Sequence, residues 1–364
     1  MSVRRRPSRA LPRRFRRRRL LIVGCGDVGQ RVARLLDGRW RVFGIVRSEA
    51  SAQRVREAGA VALVAQTPAA RSRRRLEGLA RHALHAAPPP TGCADADGRP
   101  IDPLTRAWCV AWRRPAGARR ADPMRRIDPM RRIVYVGTTG VYGDRGGRET
   151  GEATPVSPAT DRAWRRVDAE RTLRGRRRDG RLGRDGSGRW QGAFPAPVPL
   201  PACILRVPGI YAANRLPLDR IARATPVPAA PDDVHTNHIE AGDLARAAVV
   251  AMLRGRSGRV YNVVDASDLR VGDYMDRIAA WAGLPPCPRL ARAALAEQLS
   301  PMAASFLAES RRLLATRLAR ELRLRLRYPT IDVFLARHAP PGVEPGGGYG
   351  AAIIEGSPAR AGND

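Results

Sequence analysis

Leu20–Gly29 reads LLIVGCGDVG, an apolar run followed by closely spaced glycines. Its apolar first half predicts a short strand buried on both faces, and its glycines form a G-x-G-x-x-G motif. In such a motif the first glycine makes a tight turn, the second admits a pyrophosphate, and the third allows close helix–strand contact. Because the motif lies between a predicted strand and the start of a predicted helix, it predicts a dinucleotide-binding site. The alternative is that the glycines serve only the geometry of the turn. The predicted contacts are Gly24, Gly26, Asp27, Val28 and Gly29.

The residues that follow extend this unit into an alternating pattern. The apolar residues Val28, Val32, Leu35 and Leu36 predict one buried helix face, and Val42–Val46 reads as a second strand. Further candidate strands, most of them separated by helical patterns, lie at 61–64, 83–86, 133–136, 203–207 and 260–264. Alternating strands and helices predict an α/β fold with a doubly wound parallel sheet.

The 364 residues suggest one large domain with a smaller one attached. Near the C-terminus, Tyr274, Ile278 and Trp281 share a helical spacing, as do Leu314, Leu318 and Leu322. The predicted dinucleotide-binding domain covers 20–264, with loop insertions at about 113–132 and 174–200. A mostly helical C-terminal region that covers the site follows at 265–335. An Arg-rich disordered extension at 1–19 and a disordered tail at 336–364 are predicted at the two ends.

The net charge of +32 raises the question of nucleic-acid binding, but every one of the 66 basic residues is arginine. Lysine also serves well on phosphate, so a GC-rich coding bias explains an all-arginine chain more simply. Most of the excess charge lies in three segments, 1–19, 113–132 and 173–190. No nucleic-acid-binding motif accompanies it, and we expect nucleic acid to be an unlikely partner.

Cysteine spacing and hydropathy bear on metal binding, membrane insertion and cellular location. The five cysteines show no CxxC pair, so neither a zinc site nor a redox pair is predicted. No apolar run approaches the length of a membrane helix, and the Arg-rich start does not read as a signal peptide. A transit peptide is a minor option for this start. We expect a cytoplasmic protein with reduced thiols and no metal.

The end of the second strand bears on the form of the cofactor. An NAD site usually has an acidic residue there for the ribose 2′-hydroxyl, whereas this chain has Arg47 followed by Ser48. An arginine can pair with a 2′-phosphate, so NADP is predicted in preference to NAD, with a solvated Arg47 as the alternative.

Several further stretches resemble the short-chain dehydrogenase/reductase superfamily, in its extended and atypical branch of NAD-dependent epimerase/dehydratase-like proteins. They occur in the family's order across most of residues 20–335. Besides the glycine motif, they are IVYVGTTGVYGD at 133–144, residues 149–158, Ala169-Glu170, LRVPGIY at 205–211, Asn237-His238-Ile239, Asp243-Leu244-Ala245 and VYNV at 260–263.

The resemblance implies a Rossmann domain with a small, mostly helical C-terminal substrate domain. It places Thr138 where the family has a catalytic Ser or Thr that bonds the substrate oxygen. It also implies cofactor contacts from Ala86 and Pro88, after a strand, and from Pro208, Gly209 and Ile210 near the nicotinamide.

The chain departs from the family at the catalytic Tyr and Lys, which form a YxxxK motif. Counting back from Glu170, these positions hold Arg162 and Arg166. Arg162 cannot act as an acid, because its guanidinium stays protonated. Arg166 can hold an anionic substrate or a cofactor phosphate, although a solvated helix face is the simpler interpretation. Tyr142 is the nearest tyrosine, but the family's VYG tyrosine is structural.

Two other positions bear on the site. Gln66 stands near where the family often has an Asp beside the adenine, and it can still bond a base amino group. His235 and His238 are three residues apart without a visible third ligand, which favours a structural or substrate-cleft role over metal binding.

Three functions therefore stay open. The leading one is an NAD(P)-dependent oxidoreductase or epimerase that acts on a small carbonyl or sugar-nucleotide substrate without the usual Tyr-Lys pair. The alternatives are a non-catalytic NADP(H) sensor or scaffold, and an arginine-mediated polyanion binder. The resemblance implies a homodimer through a helical face that would include 162–173, whereas the sequence itself leaves the oligomeric state open.

Overall fold

A computed structural model describes residues 17–65, 76, 78–112, 132–175, 199–298 and 307–340. Most of the predicted N-terminal extension, both predicted insertions and most of the predicted tail lie outside the described residues, as does Gln66. Among the described residues, no helix is both long and apolar enough to span a membrane.

A seven-stranded sheet, parallel throughout, forms the centre of the fold. In space the strands run β3-β2-β1-β4-β5-β6-β7, which is the order of a doubly wound dinucleotide-binding sheet with one additional strand. The predicted α/β fold is confirmed. The strands are β1 (Arg18–Val23), β2 (Trp40–Val46), β3 (Val61–Val64), β4 (His82–His85), β5 (Arg132–Thr138), β6 (Ala202–Val207) and β7 (Val260–Asn262).

Helices cover both faces of this sheet, which is why its strands are apolar on both sides. One face packs against α1 (Asp27–Leu36) and α6 (Ala241–Arg254), and the other packs against α3 (Pro103–Trp112) and α4 (Asp161–Leu173). The remaining helices are α2 (Glu49–Glu57), α5 (Leu218–Ala222), α7 (Val271–Ala282), α8 (Arg292–Gln298), α9 (Thr316–Arg320) and α10 (Ile331–Leu335).

The predicted apolar face of α1 is correct except at one residue. Val32 and Leu36 are buried against the sheet, but Leu35 is 41% exposed. Successive helical residues are about 100° apart, so Leu35 lies beside the buried stripe rather than in it.

The C-terminal region is less regular than the sequence predicts. Tyr274 and Ile278 of α7 are buried in a small core together with Phe334 of α10. The predicted helix through Leu314, Leu318 and Leu322 is wrong at both ends, since α9 covers only Thr316–Arg320. Arg312–Leu313 instead forms a short strand against Glu149–Thr150, and the Leu314 N–H bonds to the Thr150 carbonyl oxygen.

A buried ion pair ties helix α4 to strand β6 beneath the carboxyl edge of the sheet. The Arg206 guanidinium makes two bonds to the Glu170 carboxylate, at 2.9 and 2.7 Å, and both side chains are only 4% exposed. Arg206 also lies 4.6 Å from the centre of the Tyr142 ring. The pair and the ring together fix the end of β6, which leads into residues 208–211.

Replacing Glu170 with Gln is expected to lower the free energy of unfolding by about 3–5 kcal/mol, because Arg206 would remain buried without its counter-charge. Urea denaturation followed by circular dichroism measures this. The matched control is Glu49→Gln, which breaks the exposed Glu49–Arg56 pair and should cost less than about 1 kcal/mol. Equal losses in the two variants would contradict a structural role for the buried pair.

Candidate functional site

A cavity of about 1070 Å³ opens where the chain order of the sheet reverses, between β1 and β4. Doubly wound sheets bind their ligands in the crevice at such a switch point. The predicted site residues that line this cavity are Gly24, Gly26, Asp27, Val28, Gly29, Ala86, Thr138, Pro208, Gly209 and Ile210. Arg47, Ser48 and Pro88 are not among the lining residues.

Each glycine of the turn meets a different steric requirement. Gly24 has a φ of +79°, and a Cβ there would lie 2.6 Å from the backbone of Ala87. At Gly29 a Cβ would come within 3.1 Å of the Ile22 side chain. A Cβ at Gly26 would meet no atom within 4 Å, so this glycine faces open space at the start of α1. The turn therefore fits a pyrophosphate, which needs that space and a helix N-terminus beside it.

Arg47 and Ser48 lie at the end of β2, beside the glycine turn. The Cys25 N–H donates to the Ile45 carbonyl oxygen at 2.9 Å and joins the turn to this strand. Ser48 caps α2 by accepting the Ser51 N–H at 3.3 Å. Arg47 is exposed, at the position from which such folds contact the ribose 2′ substituent. The roles predicted for both residues stay predictions.

Thr138 ends β5 and borders the cavity. Its Oγ1 accepts the Gly140 N–H at 3.2 Å, which leaves the hydroxyl proton available to a ligand. Tyr142 is different, because it is fully buried and its hydroxyl donates to Asn262 Oδ1 at 2.8 Å. Burial raises the pKa of Tyr142 above its usual value. Tyr142 is therefore a structural residue.

Arg162 and Arg166 lie one turn apart on α4, and both line the cavity. Arg166 is half-buried, and its Nη1 donates to the Tyr135 hydroxyl at 3.1 Å and to the Val136 carbonyl oxygen at 3.2 Å. The solvated helix face that the sequence favoured is therefore wrong for Arg166. Burial lowers the pKa of Arg162, and the nearby positive charges of Arg166, Arg165 and Arg311 add to this, against the opposing effect of Glu309.

A buried polar chain lies under the cavity at the end of β4. His85 Nε2 is 2.9 Å from Thr105 Oγ1, and the Thr105 hydroxyl donates to Asp102 Oδ2 at 2.5 Å. Burial, together with the positive charge of Arg166, lowers the pKa of His85 to about 3. The sequence analysis missed this chain, because Thr105 lies 20 residues from His85 and no local pattern joins them.

Both predicted cleft histidines line the cavity. The His238 ring stacks on Tyr274 with the ring centres 3.8 Å apart, and burial lowers the His238 pKa to about 3. His235 Nδ1 lies 3.5 Å from Asp268 Oδ1. Within the part of the chain that the structure describes, no three His, Cys, Asp or Glu side chains are placed to hold a metal ion.

The cavity wall carries more positive than negative charge. Its acidic residues are Asp27, which pairs with Arg215 at 3.1 Å, and Glu309, which pairs with Arg311 at 2.7 Å. The arginines of the wall are Arg162, Arg166, Arg215, Arg220, Arg223 and Arg311. The last four were not predicted from the sequence, because no motif marks them and both 215–223 and Arg311 are distant in the chain from the other wall residues of α4.

Comparison with known proteins agrees with this architecture. Residues 20–73 match the TrkA-N domain. Solved structures match the fold over most of the chain. The chain has the fold of the extended short-chain dehydrogenase/reductase proteins. The predicted resemblance is thereby confirmed.

Three of these structures show the range of the similarity. A conserved protein of unknown function from Silicibacter pomeroyi is 27% identical, with a TM-score of 0.67 over 87% of this chain and 96% of that one. A nucleoside-diphosphate-sugar epimerase from Pseudomonas aeruginosa is 18% identical, with a TM-score of 0.62 over 88% and 95%. The dTDP-glucose 4,6-dehydratase DesIV from Streptomyces venezuelae, solved with NAD, is 15% identical, with a TM-score of 0.62 over 87% and 95%. No curated protein matches the chain.

The buried state of His85 predicts a dependence of stability on pH. Its folded pKa of about 3 lies below the ordinary 6.5, so the unfolded chain binds a proton that the folded chain excludes. This contribution is complete above about pH 6.5 and is lost progressively as the pH falls towards 3.

Between pH 6.5 and 5, we expect the free energy of unfolding to fall by about 2 kcal/mol less in His85→Gln than in wild type. Urea denaturation at each pH measures this difference. His338→Gln is the control, since His338 is only partly buried. If wild type and the His85 variant lose stability in parallel, His85 is not held neutral in the folded state.

Proposed function

We propose that this protein binds NADP(H) and catalyses hydride transfer to or from a small carbonyl or hydroxyl compound or a sugar nucleotide. One observation carries the proposal. The open space at Gly26, the hydroxyl of Thr138 and the backbone of residues 208–210 all face a single cavity at the switch point of the sheet. Binding a dinucleotide and positioning a substrate oxygen both need such an arrangement.

Different residues of the cavity and its edge fit different parts of the cofactor. The turn at 24–29 and the start of α1 would hold the pyrophosphate, and Arg47 would pair with a 2′-phosphate. Ala86 and residues 208–210 would border the nicotinamide end. A bound nicotinamide dinucleotide supplies the hydride chemistry.

The chain's own contribution to chemistry differs from that of a Tyr-Lys pair. The Thr138 hydroxyl would donate to the substrate oxygen, and the Arg162 guanidinium would stabilise negative charge that develops there. Because Arg162 keeps its proton, the proton that completes a reduction would come from water in the open cavity. The sugar-nucleotide substrates named for similar structures fit the size of the cavity.

A second candidate is a non-catalytic sensor or scaffold that binds NADP(H) in the same cavity. The observation that favours it is Arg162, since no phenol or other proton donor stands at that position of α4. Binding of NADPH without oxidation by any carbonyl compound or sugar nucleotide would support the sensor. Turnover that falls in Thr138→Ala would exclude it. Homodimerisation through 162–173 and a cytoplasmic location stay predictions of the sequence.

The cofactor proposal is tested by titrating the protein with NADPH and with NADH while following nucleotide fluorescence. Gly26→Asp should abolish binding of both, because a carboxylate would fill the open space at Gly26 and repel the pyrophosphate. Arg47→Gln should weaken NADPH binding by about tenfold and leave NADH unchanged, because it removes a charge-assisted bond to the 2′-phosphate.

Arg56→Gln is the matched control for Arg47, since Arg56 is an exposed arginine on the adjoining helix whose partner is Glu49. A wild-type protein that binds neither nucleotide would contradict the proposal. Binding that is equal in wild type and Gly26→Asp would place the nucleotide outside this cavity.

A further inference from the structure

Near Thr138, the wall of the cavity contains the guanidinium of Arg166, at the position where the resembling family has its catalytic Lys. Arg166 is half-buried on α4 and donates to the Val136 carbonyl oxygen, two residues before Thr138 on the same strand. Its other acceptor is the Tyr135 hydroxyl. Both acceptors are neutral oxygens, so they orient the cation without neutralising it.

The remaining edge of this guanidinium is available to a ligand. Nη1 makes both bonds, and the N–H groups on Nη2 and Nε bond to no other described residue. Within the described part of the chain, no carboxylate lies within ion-pair distance of Arg166. Two N–H groups on one edge of a guanidinium match the two oxygens of a carboxylate.

The charges on the cavity side of Arg166 favour an anion, although the buried Asp102 carboxyl, whose pKa is raised by burial, also interacts with the Arg166 charge. Arg162 lies one turn before Arg166 on the same face of α4, and Glu309, the acidic residue near Arg162, also pairs with Arg311. Repulsion among Arg162, Arg166 and Arg311 contributes to a lowered pKa of Arg162. A bound anion would relieve this repulsion.

We propose that the substrate carries a carboxylate close to the reacting carbon, and that Arg166 binds this carboxylate while Thr138 binds the reacting oxygen. The inference rests on the proposed function and adds the substrate class. Val136 and Thr138 are two residues apart on one strand, about 7 Å, so one small substrate can reach both the Arg166 guanidinium and the Thr138 hydroxyl when its carboxylate lies close to its reacting carbon. A 2-oxo or 2-hydroxy acid has this arrangement.

The test is a titration of the NADPH-saturated protein with oxamate, followed by cofactor fluorescence and by the shift in unfolding temperature. Oxamide, its uncharged analogue, and sodium chloride at equal ionic strength are the ligand controls. We expect oxamate to bind, oxamide to bind at least tenfold more weakly, and chloride to give no shift.

Among the variants, Arg166→Gln should weaken oxamate binding by about tenfold or more, and Arg166→Lys should fall between it and wild type, because an ammonium cannot form the two parallel bonds. Arg171→Gln is the matched control, since it removes the same charge from the same helix outside the cavity. Each ligand-induced shift is measured against the variant's own ligand-free unfolding temperature, so a loss of stability does not imitate a loss of binding.

Several results would overturn the inference while leaving the proposed function intact. They are NADPH binding without oxamate binding, equal binding of oxamate and oxamide, and an unchanged oxamate affinity in Arg166→Gln. Loss of NADPH binding alone in that variant would assign Arg166 to the cofactor instead. Binding of inorganic phosphate but not oxamate, dependent on Arg166, would replace the carboxylate with a phosphate. Failure of wild type to bind NADPH would instead overturn the proposed function.

Discussion

The site depends on the close approach of two chain segments where the order of the sheet reverses. After β1 the backbone turns at Gly24 so tightly that a Cβ would lie 2.6 Å from Ala87, the second residue after β4. The N–H groups of Ala86 and Ala87 both bond to the Val23 carbonyl oxygen at 2.9 Å. This contact fixes the start of α1, and α1 in turn leaves the space at Gly26 open. Any side chain at position 24 would therefore disturb the cavity as well as the turn.

In the proposed function, the chemistry of the cavity depends on two arginines of its wall, Arg162 and Arg166, rather than on a proton-transfer pair. A phenol exchanges a proton with its substrate, whereas a guanidinium stays charged and can only bind or stabilise negative charge. Arg162 and Arg166 would therefore make the first half of α4 an electrostatic site rather than a source of protons. The neutral acceptors of Arg166 keep that charge directed at the cavity. The proposed anionic substrate and the alternative of a sensor both rest on these two arginines.

The fold and the glycine turn were predictable from sequence because their determinants are local. Leu20–Val23 is apolar on both faces, and the glycine spacing follows directly, so strand, turn and helix are specified within ten residues. The strands at 133–136 and 203–207 were predicted for the same reason, and they are three residues and one residue shorter than observed, respectively. The half-buried position of Arg166 was not predictable, because it depends on Val136 and Tyr135, which lie about thirty residues earlier.

The His85–Thr105–Asp102 chain and the cavity arginines after residue 214 likewise arise from tertiary packing, for which a single sequence carries no periodic signal.

The proposed function places a nicotinamide dinucleotide across the switch point, with its nicotinamide beside Thr138. A crystal structure of the protein grown with NADPH would show this. We expect density for the pyrophosphate over Gly26 and the first turn of α1, with the nicotinamide between Thr138 and Pro208. A cavity without nucleotide density at millimolar NADPH, or nucleotide bound elsewhere on the molecule, would contradict it.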